Sequence, residues 1–234
     1  MRLRLALASV ALCVLASSAL AAPPAVKGAW EGYGAGSWVA SKTTTKMEAG
    51  GMAMPAQETE SRQTLVKVTD DEWTVKNETK VGEDWTNAVE FKIPRKAPAG
   101  TEKDAPKPED LGNENVAVEG KDYACKKQRS VVTGTTTTTW TNEQHGVLKY
   151  ESEGNGASSS MIVTTLSKKA KVGDKEFVCK ETKIVSKMPG AGDTTMVSLS
   201  SEDVPMQVVR TEVNNASPQM KMSSVTEVTG WEKK

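Results

Sequence analysis

Residues 120–128 read "GKDYACKKQ", and residues 173–181 read "GDKEFVCKE". Each stretch sets an aromatic residue two positions before a cysteine, with a lysine directly after it. A period of two is the mark of a strand with one buried and one wet face. Tyr123 and Cys125 therefore share a face, and so do Phe177 and Cys179. The same alternation groups Thr64, Val66 and Val68, then Trp73 and Val75, then Leu148 and Tyr150, then Val209, Thr211 and Val213.

Turn signals separate these runs: "EAGGMAMP", "TDDE", "EGNGAS", "MPGAGD" and "NNASP". After residue 21 the only leucines are Leu65, Leu111, Leu148, Leu166 and Leu199, while valine and threonine dominate. β-branched residues suit a pleated, half-buried surface. The fold class is all-β: an antiparallel meander that forms a curved sheet or a partly open barrel.

The cysteine echo extends downstream. Trp140 aligns with Leu199, Glu143 with Glu202, and Leu148-Lys149 with Val209-Arg210. Strand, turn and strand follow in both copies, so a four-strand unit is duplicated in the C-terminal half. The segment 94–113, rich in proline and charge, cannot build a core and reads as a surface loop or linker. It divides an N-terminal β half, 22–93, from a C-terminal one, 114–234.

The first 21 residues form a leader. Arg2 and Arg4 precede an apolar run, and Ala19-Leu20-Ala21 fits the small-x-small rule, which puts the cut before Ala22. The run is short for a membrane span of about 20 apolar residues. The chain is then periplasmic or secreted, where thiols oxidise, and Cys125 and Cys179 are expected to pair as a disulfide. Loss of Arg2 and Arg4 from a balance of 30 basic and 30 acidic residues leaves a small acidic excess. That excludes a nucleic-acid binder, which needs a basic surplus.

With its leader, its β pattern, its scarce leucines and its Trp/Thr-rich strands, the chain resembles exported bacterial β domains in the style of the lipoprotein carriers LolA and LolB. The resemblance implies a curved antiparallel sheet that cradles acyl chains on its concave face. Those carriers close the groove with helices, and no helical segment is legible here. No binding residue is therefore carried over from them.

Catalytic patterns are missing. His145 is the only histidine and sits in the turn "NEQHG", without the nucleophile and orienting carboxylate a catalytic histidine needs. Neither G-x-S-x-G nor S-x-x-K occurs. "GYGAGS" at 32–37 lacks the helix a dinucleotide fingerprint requires, and "TDDE" at 69–72 is a turn without Ca²⁺-loop spacing.

The leading expectation is a non-enzymatic, cofactor-free binding module, monomeric, that holds a lipid-like ligand or an envelope protein on an apolar sheet face. Its ligand wall would draw on Trp38, Trp73, Tyr123, Trp140, Tyr150 and Phe177. A structural envelope protein without a small ligand is a second reading. The third is a Cu(I) protein: Met47, Met52 and Met54, with Met220 and Met222, offer soft thioethers in M-x-M pairs that share a strand face. Against it, methionine also fills gaps in apolar surfaces.

Overall fold

The computed structural model describes residues 28–95, 107–190, 192–217 and 220–234. The leader with its cut before Ala22, and residues 96–106 of the Pro-rich segment, lie outside the described residues. Fourteen strands and no helix make up the described chain. The N-terminal half supplies β1 (Trp38–Ala49), β2 (Met52–Ala53), β3 (Gln57–Val68), β4 (Glu72–Val81) and β5 (Asp84–Pro94). Next come β6 (Glu109–Val118), β7 (Lys121–Val132), β8 (Thr135–Asn142), β9 (Gly146–Gly154) and β10 (Ala157–Val172). The last four are β11 (Lys175–Met188), β12 (Gly192–Ser200), β13 (Val208–Ala216) and β14 (Met220–Glu232). β6 begins inside the stretch that composition assigns to loop.

All of them join one antiparallel sheet in the order β5-β4-β3-β1-β14-β13-β12-β11-β10-β9-β8-β7-β6, with the short β2 paired to β1. The pairing of β1 with β14 welds the two halves of the chain into a single surface. Thirteen strands lie along the path, an odd number, so β5 and β6 at its two edges run the same way. Closing the meander would demand a parallel pair there, and the sheet stays open.

Tight turns enforce the register. Glu119 and Gly120 both carry positive φ (53° and 75°) between the paired residues Val118 and Lys121. Asn155 and Gly156 do the same (54° and 76°) between Gly154 and Ala157. Two left-handed residues in a two-residue loop match the twist of the flanking strands.

One end of the sheet, the base, holds three clusters of buried side chains. Trp30, Tyr33, Val39, Leu65, Trp73 and Val75 form the first. Val116, Val118, Cys125, Trp140, Leu148 and Val163 form the second, and Val172, Phe177, Cys179, Leu199, Val204 and Val209 the third. Each fully buried aliphatic or aromatic side chain contributes about 1.5–3 kcal/mol of transfer free energy. At the base, the backbone N–H of Gly34 donates to the carbonyl of Lys234 at 3.1 Å, and that of Met206 to the carbonyl of Ala29 at 2.8 Å. Gly28 lies so near Trp73 that a Cβ there would meet the ring at 2.0 Å.

The two segments aligned from sequence adopt the same register. Lys127 pairs with Trp140 and Trp140 with Lys149; Glu181 pairs with Leu199 and Leu199 with Arg210. A bulge follows at Trp140/Thr141 in one and at Leu199/Ser200 in the other. Equivalent strands thus deliver Cys125, Trp140 and Leu148 to one core, and Cys179, Leu199 and Val209 to the next.

Two expectations need correction. Cys125 and Cys179 are free, buried thiols in separate cores, not a disulfide. They lie on β7 and β11, four strands apart in the sheet, roughly 19 Å at about 4.8 Å per strand. A disulfide needs Cα atoms within about 4.4–6.8 Å. Burial pushes both thiols above the ordinary cysteine pKa. On β3 the buried residue is Leu65, and Val66 and Val68 are exposed, because a bulge at Leu65/Lys67 breaks the alternation that groups Thr64, Val66 and Val68.

Candidate binding face

The opposite end of the sheet, the rim, is built differently. Residues paired directly across antiparallel strands project to the same side. Following those pairs from β7 to β1 gives the row Ser130, Thr137, Ser152, Ser159, Ser186, Thr194, Asn215, Met222 and Met47. Two residues nearer the base runs a parallel row: Gln128, Thr139, Tyr150, Met161, Ile184, Met196, Val213, Ser224 and Thr45. A third row continues through Val163, Thr182, Ser198, Thr211, Thr226, Thr43 and Thr59. No residue in the three rows is charged.

Many of the hydroxyls on this side bond one another across strands. Thr137 and Ser152 share a hydrogen bond of 3.1 Å, and Ser159 and Ser186 one of 3.0 Å. Tyr150 and Ser159 meet at 3.3 Å, Thr45 and Ser224 at 3.1 Å, Thr43 and Thr226 at 2.9 Å. Asn215 Nδ2 donates to Thr194 Oγ1 at 2.7 Å. Such cross-strand pairs contribute about 0.2–1 kcal/mol each. They also turn part of the donor and acceptor capacity sideways, along the sheet. This side is less polar than its serine and threonine content suggests.

The other side of the same strands is ionic. It carries Lys149, Glu151, Glu153, Lys183, Lys187, Asp193, Glu212 and Lys221. Lys149 pairs with Glu151 at 2.8 Å and Lys221 with Glu48 at 3.6 Å. Glu151, Glu153, Lys183, Lys187, Asp193 and Lys221 are exposed, whereas the uncharged rows hold mostly half-buried residues, with Thr137, Ser152 and Val163 buried and Thr59 exposed. A shallow depression of about 410 Å³ on the ionic side lies between Thr136, Glu151, Ser160 and Lys187.

The six residues proposed for a ligand wall do not form one. Trp73, Trp140 and Phe177 are buried, each in a different core, and Tyr123 packs against the second. Lys149 and Lys127 lie over the Trp140 ring, at 4.3 and 5.0 Å from its centroid. Trp38 is at the base, its Nε1 donating to Glu232 at 2.9 Å. Of the six, only Tyr150 lies in the three uncharged rows. The five methionines fare otherwise and meet at one corner of the rim. His145 stands edge-on to Tyr123, centroids 5.3 Å apart, in a turn whose backbone N–H bonds Asn142 Oδ1 at 3.1 Å.

A second cleft, about 610 Å³, opens at the base beside Tyr33, Phe177 and Trp231. Lys175 covers the Trp231 ring at 4.7 Å and Lys233 the Tyr33 ring at 5.1 Å. Burial and then the nearby Asp203 push the Tyr33 hydroxyl pKa up, so that group stays protonated. Among the described residues, no cluster of three or more His, Cys, Asp or Glu side chains could hold a metal.

Sequence reasoning missed the uncharged side because it counts serine and threonine as polar. The signal was present: along "TKIVSK" Thr182, Ile184 and Ser186 alternate with Lys183, Val185 and Lys187.

No protein-family model and no curated protein matches the chain. Three solved structures align over most of it. A LolA superfamily protein from Nitrosomonas europaea covers 84% of this chain and 86% of its own, at 11% identity and a TM-score of 0.31. A protein described as a thioesterase II, from Thermobifida fusca, covers 81% and 78%, at 7% identity and a TM-score of 0.19. MucB, in complex with MucA(peri), covers 81% and 88%, at 8% identity and a TM-score of 0.18. None of these values establishes a shared fold.

Proposed function

We propose that the chain is an exported, non-enzymatic binding module that holds a neutral, lipid-like ligand against the uncharged side of its sheet. The observation that carries this reading is the separation of character between the two sides. Over a quarter of the chain is charged, yet three adjacent rows across the sheet carry no charge at all. Apolar area withdrawn from water is worth about 25 cal/mol per Å², and hydroxyls that already bond across strands keep those bonds when a ligand covers them. An anionic ligand would find no cation there to receive it. The length suits an extended chain, since eight strand spacings of about 4.8 Å separate β7 from β1. Export rests on the leader.

The test is organic extraction of protein purified from an oxidising compartment without detergent, followed by lipid mass spectrometry. A neutral lipid should accompany the parent chain and be lost from Ile184→Lys, whose folding transition should remain cooperative. Absence of lipid from the parent, or its undiminished retention in Ile184→Lys, contradicts the reading.

A further inference from the structure

Half of the chain's ten methionines occupy one corner of the sheet. Met47 on β1 pairs directly with Met222 on β14. On its other flank the Met54 N–H donates to the Met47 carbonyl at 2.8 Å, which sets Met54 opposite Met47. Two residues toward the tip, Ala49 pairs with Met220 on one flank and with Met52 on the other. Residues two apart along a strand share a side. The five side chains therefore form a grid of two rows, Met222-Met47-Met54 and Met220-Ala49-Met52, with the small alanine leaving the middle open. Gly50 and Gly51, both at positive φ (58° and 78°), make the reversal that folds β2 back onto β1.

These methionines are not filling a core. Met52 is 74% exposed, Met54 46% and Met220 39%. A gap-filling methionine is covered by its neighbours, and these stand open to water. Their charged neighbours, Lys46, Glu48 and Lys221, project from the opposite side, where Lys221 and Glu48 pair with each other.

We propose that Met47, Met52, Met54, Met220 and Met222 form a binding site for Cu(I). Thioethers are neutral, soft donors that select Cu(I) over harder cations. Zn²⁺ and Ca²⁺ draw on thiolate, imidazole or carboxylate donors, which this corner lacks. Directly paired Cβ atoms lie about 5 Å apart, and the unbranched methionine side chain, with three rotatable bonds, can bring two or three sulfurs onto one ion. Neutral donors leave the ion's single positive charge uncompensated, and among the described residues of this corner the lysines Lys46 and Lys221 project from the opposite side. The proposal is separable from the lipid reading: Met222 and Met47 end the first uncharged row, but Met52, Met54 and Met220 lie outside the three rows, and either reading can fail alone.

The test is an anaerobic titration of the purified protein with Cu(I) against a chromophoric Cu(I) chelator, using Met188→Leu as the control. One Cu(I) per chain should be withdrawn from the chelator by the parent and by the control. The double variant Met47→Leu/Met222→Leu, which keeps volume and strand register, should bind at least tenfold more weakly. In parallel, Ag(I), a redox-inert soft cation, should shift the ε-methyl NMR signals of the five methionines and leave that of Met188 in place. Failure of the parent to compete, equal binding by the double variant, or Ag(I) shifts spread over all methionines would each overturn the proposal.

Discussion

The base and the rim of this sheet are made from the same strands, yet they solve different problems. At the base, β8 and β9 contribute Trp140 and Leu148 to a buried core; a few residues farther along, the same strands contribute Thr137 and Ser152 to a hydroxyl ladder. On β11 the base holds Phe177 and Cys179, and the rim holds Ile184 and Ser186. The base buries large side chains, and the rim satisfies small polar ones sideways. Stability therefore concentrates at one end of the strands, and an uncharged surface is left free at the other.

That contrast can be broken at its strongest point first. Trp140→Ala removes a side chain buried beneath Lys127 and Lys149 and should cost about 3–5 kcal/mol in urea unfolding, with Leu148→Ala at about 2–5 kcal/mol. A loss below 1 kcal/mol for Trp140→Ala would mean that the second core does not hold the base together.

Glu78 on β4 is the next test, a charge buried within the N-terminal strands. Burial would raise its pKa, but the bonds from Lys76 at 3.1 Å and Arg62 at 3.0 Å outweigh that and hold the carboxyl below the ordinary value. Its contribution is present above the unfolded pKa of about 4.3 and is lost as pH falls through the lower folded one. Glu78→Gln should cost about 1.5–3 kcal/mol at neutral pH, the range for hydrogen bonds to charged groups, and the gap to the parent should shrink below about pH 4. A gap independent of pH removes the ionic account of this site.

The thiols sharpen the comparison between the second and third cores. In protein lacking the leader, neither Cys125 nor Cys179 should react with a thiol reagent while folded, and both should react once unfolded without reductant. Unfolded protein with no reactive thiol would restore the disulfide and overturn the four-strand separation. Because both native thiols titrate above the unfolded value, their stabilising effect is complete below about pH 8.5 and is lost as pH rises beyond it. The double variant Cys125→Ala/Cys179→Ala should flatten that alkaline decline.

The smallest effect belongs to the rim. Ser159 hydrogen-bonds both Tyr150 and Ser186, and Ser159→Ala should cost about 0.5–1.5 kcal/mol. A cost matching that of Trp140→Ala would erase the distinction between the two ends.

Much of the fold was legible because it rests on alternation and turn chemistry. Tyr123 with Cys125 and Phe177 with Cys179 mark strands by period alone, and the match of Trp140 to Leu199 predicts two stretches that do share a register. The disulfide misled because two cysteines in an oxidising compartment suggest a pair, while strand order, which local sequence does not encode, sets them far apart. Val66 and Val68 misled because a bulge shifts the period midway along β3. The aromatic wall failed for a physical reason: in a thin sheet with few large residues, Trp73, Trp140 and Phe177 are drawn into the buried cores of the base. The methionines were recognised by type, but only the pairing of β1 with β14 and β2 brings Met47, Met222 and Met54 into one row.

The most direct measurement of the central claim is a methyl NMR titration of the protein with a monoacylglycerol. The account predicts shifts at Met161, Ile184, Met196 and Val213 on the uncharged side, while Val185 and Val197 on the ionic side of the same strands stay unmoved. Shifts of equal size on both sides, or none, would contradict it.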